Sequence, residues 1–372
     1  MKHLVLLGAG HAHVHVLKGL AAHRPKNARI TLVAPQKGQL YSGMLPGFVA
    51  GHYTLDQCVI PLELLLVRSG AAYVAGYGAG INADAKTLTL QDGQTIAYDL
   101  LSLNTGAVMD RVKIDIAMPG ASAHALFVRP IGAFARHWSR VAARALQRPI
   151  HLAVVGGGAA GFELAMAAVH ALRQTPNALG SRVTLITGGA PPGHNYPASV
   201  QRRVIGALER LHITVLQDAC VGINAGGVLL ASGAQLPCDV RLLAVGAQPP
   251  GWLAGSGLSL DAQGFALVNN FQQSISHDQV FAVGDIASRL DVPHSRSGVY
   301  AVRAGPPLLH NLLSAVAAQP LAAYAPPKRT LNLLSCGGRY AIAAWGNLSV
   351  EGAGVWRLKD RIDRQFVQRY SS

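Results

Sequence analysis

Cysteine is scarce in this chain, and so are carboxylates. Its four cysteines, Cys58, Cys220, Cys238 and Cys336, lie far apart, with no CxxC or CxxxxC pair among them. That excludes a local redox disulfide and a zinc site, and it fits a reducing cytosol. Asp and Glu number 18 against 32 Lys and Arg, for a formal net charge of +14. A surface that basic favours anionic membranes, nucleic acid or acidic proteins. Charged residues are only 13% and hydrophobic ones 50%, which argues against disorder. A clean membrane-spanning run is also lacking. Residues 152–172 come nearest, but Gly156, Gly157, Gly158 and Gly161 interrupt them and Glu163 lies at their centre, where a charge costs about 3 kcal/mol on insertion. The apolar start of the chain stops at Gly8, and His11, His13 and His15 follow, so it does not read as a signal peptide.

Glycine is what the chain has in quantity, and it falls at two repeated turns. Residues 2–7 are apolar, Gly8-Ala9-Gly10 forms a turn, and the spacing of Val14, Leu17, Leu20 and Ala21 predicts a helix over 11–22. Residues 28–34 then read as a second strand. This β-α-β unit favours a parallel sheet. The pattern returns with a strand over 151–155, the turn 156–161, a helix over 162–172 and a strand over 182–187. A strand closing in a glycine step follows each unit: Asn104-Thr105-Gly106 after the first, Ala244-Val245-Gly246 after the second. The expected fold is therefore α/β, with two Rossmann-like dinucleotide-binding halves. Pro/Gly clusters at 118–120, 188–193, 248–251 and 325–327 mark crossings between parts, the last opening a C-terminal α+β region.

Gly156-x-Gly158-x-x-Gly161 is a complete fingerprint in the right context, after a strand and opening a helix. Its glycines allow a tight turn and close backbone approach to a pyrophosphate, and the helix N-terminus offers free N–H groups. The first turn is imperfect, because His13 stands where the third glycine belongs. Some local displacement of helix from strand is expected there. His11 reads as a phosphate-facing or helix-capping residue, and no metal site is expected. Both halves lack the acid that commonly ends the second strand: the first has Ala34-Pro35, the second Thr187-Gly188. An acid in the second half would favour NADH, so its absence permits NADPH. Val283-Gly284-Asp285 ends a buried strand, and its aspartate can bond a polyol hydroxyl such as ribityl.

Together these segments resemble the pyridine nucleotide–disulfide oxidoreductase superfamily over residues 1 to about 325. More narrowly, the chain is similar to type II NADH dehydrogenases and to the flavoprotein domain found fused in front of selenophosphate synthetase. The residues that carry the narrower likeness are Gly10-His11-Ala12-His13-Val14, Tyr41-Ser42-Gly43-Met44-Leu45-Pro46-Gly47, Gly51-His52-Tyr53, Val128-Arg129-Pro130-Ile131-Gly132, Gly298-Val299-Tyr300-Ala301-Val302-Arg303 and Lys359-Asp360-Arg361-Ile362-Asp363-Arg364-Gln365-Phe366.

The resemblance implies an FAD domain from 1–117 and 252–325, an NAD(P)H domain from 118–251, and a C-terminal region from 326–372. It implies FAD on the turn Gly8, Ala9, Gly10, His11 and Ala12. Pro35, Ser42 and Pro46, then Asn104, Thr105 and Gly106, and then Gly284, Asp285, Val299 and Tyr300 would complete that site. NADH or NADPH would lie on Gly156, Gly157, Gly158, Ala159, Ala160 and Gly161, with Thr187 and Gly246 nearby. Glu163 stands where relatives carry an acid near the nicotinamide. The implied activity is hydride transfer from NAD(P)H to FAD and onward electron transfer to an unidentified acceptor. Type II NADH dehydrogenases carry glutamines where this chain has Val299 and Arg303, which argues against quinone as that acceptor. A second reading is a flavin-binding sensor or complex partner without turnover, linked to selenium metabolism.

Two basic segments bear on location. Arg136, Arg140, Arg144 and Arg148 recur at helical spacing, as a solvated basic face or one that meets an anionic neighbour. In the expected terminal helix Leu358, Ile362, Phe366 and Tyr370 recur every four residues, with arginines on other faces. Such a helix either lies on an anionic bilayer or docks on its own domain or a dimer mate. The expected location is cytoplasmic, with peripheral contact on the inner membrane face as its extension. No nucleic-acid partner is expected.

Overall fold

Along the first strand, Lys2–Leu7, Leu4 and Leu6 enter one core cluster while Val5 and Leu7 enter another, and all four are at most 1% exposed. A strand buried on both faces belongs inside a parallel sheet covered on both sides. The computed structural model, which describes residues 1–371, contains that sheet. Its spatial order is Val280–Ala282, Leu100–Leu103, Lys2–Leu7, Ala28–Ala34 and Ala72–Ala75, all parallel. The helix His11–Ala22 covers one face, burying Val14, Leu17 and Leu20.

The second sheet repeats the arrangement. Leu126–Phe127, Val240–Leu243, His151–Val155, Arg182–Ile186 and Thr214–Leu216 run parallel in that order. In both sheets the strand before the glycine turn has the same neighbours: the next strand on one side and the later glycine-step strand on the other. Each half also carries an antiparallel three-stranded sheet, Gly78–Asn82 with Thr87–Leu90 and Thr95–Ala97 in the first, and Cys220–Asn224 with Gly227–Leu230 and Gln235–Pro237 in the second. The halves meet where Val108 and Gln248 exchange backbone hydrogen bonds of 2.8 and 2.9 Å.

The helix of the second unit runs Ala159–Arg173, so it begins three residues earlier than its apolar spacing suggests. The two alanines after Gly158 already follow the helical path. The basic helix runs Ile131–Ala145 and carries Arg136, Arg140 and Arg144 on its exposed side. Arg148 does not share that face: it lies beyond the helix end and pairs with Asp239 at 2.7 Å.

The C-terminal region is an antiparallel sheet of Leu331–Ser335, Ala341–Trp345 and Leu348–Gly352, followed by the helix Ala353–Ser371. That helix docks on its own chain. It buries Lys359, Asp363, Phe366, Val367 and Tyr370, while Leu358 and Ile362 stay 45% and 40% exposed. The apolar stripe with four-residue spacing is thus divided, because strict four-residue steps drift around a helix of 3.6 residues per turn. No helix among the described residues is long and apolar enough to cross a membrane.

Candidate functional site

At the first glycine turn the backbone approaches Asn104 so closely that side chains are excluded. Gly8 has φ +88°, and a Cβ there would lie 2.6 Å from the Asn104 carbonyl oxygen; at Gly10 it would collide with Asn104 Oδ1. Asn104 itself is 3% exposed and fully engaged. Its Oδ1 accepts the Ala12 and His13 N–H groups at 3.1 and 3.2 Å, and its Nδ2 donates to the Val283 carbonyl at 2.9 Å. One amide therefore fixes the start of the His11–Ala22 helix against the strand that leads into Gly284-Asp285.

His13 takes the place of the third glycine without losing contact between helix and strand. It is completely buried, with Nδ1 2.5 Å from the Gly8 carbonyl oxygen and Nε2 2.8 Å from Ser102 Oγ. A carbonyl oxygen only accepts, so Nδ1 carries the proton and Nε2 accepts from the serine. Burial pushes its pKa down to about 4, so the ring is neutral. Where a third glycine would allow bare approach, this chain bridges the gap with an imidazole.

Around the turn, Gly284 has φ +74° and Asp285 pairs with Arg129 at 3.0 Å. Arg129 also donates to the Ala107 carbonyl at 3.0 Å. Val299 and Tyr300 lie in the short helix Gly298–Arg303, where the Tyr300 hydroxyl donates to the Pro327 carbonyl at 3.2 Å and its ring stacks on His294. Asp285, Ser297 and Tyr300 line one pocket. Ser42 and Pro46 fall on consecutive short helices, Ser42–Met44 and Leu45–Val49, and Ser42 Oγ is near Gly298. Pro35 is exposed just past the second strand, and Gly106 adopts φ +74° beside the exposed Thr105.

The second turn is organised differently. Gly156 has φ +132°, and a Cβ on Gly161 would collide with the Gly156 carbonyl oxygen. No side chain of its own caps the helix at Gly158, and nothing lies within 4 Å of where a Cβ on that residue would be. Fifteen residues of helix, without an acid in the first turn, thus present their positive end to open space. This is a fitting cradle for a pyrophosphate. Thr187 is buried against Gly157, and Gly246 is exposed with free space around it.

Glu163 lies on that second helix, and its Oε1 accepts the Ser335 N–H at 2.7 Å. Burial raises its pKa to about 7, opposed by the Lys359 charge and the Ser335 hydrogen bond, while Asp363 adds a smaller push upward. The terminal helix supplies those neighbours. Lys359 Nζ sits 2.6 Å from Asp363 Oδ2 and donates to the Gly43 carbonyl at 2.7 Å. Phe366 stacks on Tyr41 with ring centroids 4.5 Å apart, and the Tyr53 hydroxyl donates to Asp360 at 2.7 Å. Reading the sequence missed this cluster of Tyr41, Lys359 and Asp363. The signal was present in the opposite charges of Lys359 and Asp363 at i,i+4 within an otherwise apolar-facing helix.

Two glycine turns, each between a parallel strand and a helix, mark a chain built from two Rossmann-like dinucleotide-binding units. The pyridine nucleotide-disulphide oxidoreductase family matches residues 2–311, and the chain belongs to it. It is an NAD(P)H-dependent flavoprotein oxidoreductase, with FAD and NADH or NADPH as its cofactors. The four cysteines are unpaired, so no disulfide takes part in the fold described. An NADH dehydrogenase-like protein of Mycobacterium tuberculosis is 27% identical over 328 residues, covering 84% of this chain and 80% of its own length. The ferredoxin–NAD(+) reductase component of the p-cumate 2,3-dioxygenase system of Pseudomonas putida is 29% identical over 301 residues, covering 77% and 68%. Among solved structures, the sulfide:quinone oxidoreductase of Aquifex aeolicus superposes with a TM-score of 0.82 at 18% identity, covering 100% of this chain and 92% of that one. NDH2 of Plasmodium falciparum in complex with NADH gives a TM-score of 0.81 at 13% identity, covering 100% and 97%.

Proposed function

We propose that FAD lies on residues 1–117 and 252–325, NAD(P)H on residues 118–251, and that the C-terminal region closes the space where the two nucleotides meet. The observation that carries this assignment is the uncapped N-terminus of the Ala159–Arg173 helix beside the open space at Gly158. Gly8 to Ala12 and Gly284-Asp285 would hold the flavin nucleotide, with Ser42, Pro46, Thr105, Val299 and Tyr300 around its rings. Asn104 contributes by fixing that turn, since its own amide is already engaged. The flavin supplies the two-electron chemistry when bound. This chain's residues bring the donor ring alongside it, which makes transfer intramolecular. In this reading Glu163 stands at the donor side and exchanges a proton near neutral pH, and the Lys359–Asp363 pair holds Tyr41 and the Gly43 backbone in place.

Without an acid after Ile186, neither NADH nor NADPH is repelled at the ribose end, so we infer modest discrimination between them. The acceptor site lacks the glutamines of the quinone-reducing relatives at Val299 and Arg303. Contact with an anionic inner membrane would fall to the exposed Trp345, Leu348 and Val350 of the C-terminal sheet, together with Leu358, Ile362 and their neighbouring arginines.

Anaerobic titration of the yellow protein with each nucleotide tests the assignment. Bleaching of the visible flavin band by either donor, followed by turnover with an artificial acceptor, is the expected result. A yellow protein that neither donor bleaches sinks the hydride-transfer assignment and leaves the sensor reading.

A further inference from the structure

We propose that His11 is a positioning residue for the bound flavin nucleotide, its imidazole donating Nε2–H to an oxygen of the pyrophosphate–ribityl segment. The inference rests on FAD occupying the first glycine turn. Three histidines share the His11–Ala22 helix, and two of them are satisfied within the chain. His13 uses both nitrogens, on Gly8 and Ser102, and His15 meets the Tyr370 hydroxyl at 3.1 Å. His11 differs: its Nε2 is buried without any hydrogen-bond partner. Buried polar groups are rarely left unpaired, because doing so costs free energy that the fold must recover elsewhere. No group of the polypeptide supplies that partner, which leaves the nitrogen available to a bound molecule.

The surroundings select its chemistry. Tyr41 and Phe366 meet the His11 ring edge-on, with centroids 5.2 and 5.8 Å away, and hold the ring in place without satisfying its nitrogen. Asp285 and Arg129 both act on it electrostatically, but they are already paired with each other at 3.0 Å. The Asn104 clamp takes up the N–H groups of Ala12 and His13 and not that of His11, the first residue of the helix. One residue thus combines the positive end of a helix with an unsatisfied side-chain nitrogen, beside the Gly284-Asp285 step. An oxygen-rich anionic segment fits that combination. Burial lowers the His11 pKa to about 4, so the ring of the free protein is neutral and has one hydrogen bond to offer.

The test compares apo protein of wild type, His11→Phe and His11→Gln in titrations with FAD, followed by flavin fluorescence and the visible absorption spectrum. Losing a hydrogen bond to a charged acceptor should weaken FAD binding about tenfold or more in His11→Phe. His11→Gln, which keeps a donor, should recover affinity to within about threefold. In wild type carrying isotope-labelled histidine, the Nε2–H resonance of His11 should shift on FAD saturation. If His11→Phe folds and binds FAD as wild type does, with the same spectrum, the proposal is overturned. If that variant does not fold, an unmoved His11 resonance in FAD-saturated wild type overturns it instead. Failure of wild type itself to take up FAD overturns the assignment of the first turn, and the His11 proposal with it. That failure shows before any variant is made.

Discussion

Asn104 joins three segments through one amide, and its value can be measured. Replacing it with alanine leaves two helix-start N–H groups and the Val283 carbonyl without their partner. The expected cost is about 3 kcal/mol of stability, read by urea unfolding of the apo protein, together with weaker FAD binding. A loss under about 0.5 kcal/mol would mean that water replaces the amide and that the clamp is incidental. Glu163 makes the opposite kind of prediction. Its native pKa of about 7 lies above the 4.5 of an ordinary glutamate, so the native state holds that proton more tightly than the unfolded chain does. Its contribution is complete below about 4.5 and is lost as the pH rises through about 7. Wild type should lose up to about 3 kcal/mol across that window relative to Glu163→Gln, a difference that urea titrations at pH 5 and pH 8 would show. Parallel pH profiles for the two proteins would refute the raised pKa. The sequence announced Asn104 and Glu163 by position alone. It showed neither the clamp nor the proton affinity, because both depend on groups 80 to 180 residues away in the chain.

Elements were legible where their pattern is local. Strand, glycine turn and helix follow one another within about thirty residues, so periodicity and turn chemistry state both units plainly. The terminal helix was legible as a helix, and its role was not. Its arginines and spaced apolar residues suit a bilayer, a dimer mate or its own domain equally well, and it is the burial of Lys359, Asp363, Phe366, Val367 and Tyr370 that docks one face on its own chain. The Lys359–Asp363 pair supports a prediction at this scale. Lys359→Met leaves Asp363 as a buried carboxylate without its cation, at a cost of about 3–5 kcal/mol. Adding Asp363→Leu should restore most of that loss, since an apolar pair can replace a buried ion pair. Equal unfolding midpoints for the Lys359→Met protein and wild type would show that the Lys359–Asp363 pair adds nothing to the docking of the helix.

At the scale of the whole molecule, the duplicated architecture was readable and the strap that joins its halves was not. The C-terminal sheet is fixed to the second half through Arg203–Glu351 at 2.9 Å, Arg210–Glu351 at 3.2 Å and the Ser335–Glu163 hydrogen bond. The helix that follows it is fixed to the first half through Lys359 on Gly43, Asp360 on Tyr53 and Tyr370 on His15. Neither set of contacts is local, which is why no spacing in the chain displays it. A strap held at both ends should open only when one of the halves does. Native-state hydrogen exchange of the Ala341–Trp345 amides measures this directly, because exchange reports the free energy of the least costly opening. The expected result is protection equal to that of the Lys2–Leu7 and His151–Val155 strands, lost in the same denaturant range. Protection several kcal/mol lower would mean that the C-terminal region opens by itself, and that the relative placement of the two nucleotide sites depends on the crossing at Val108 and Gln248 instead.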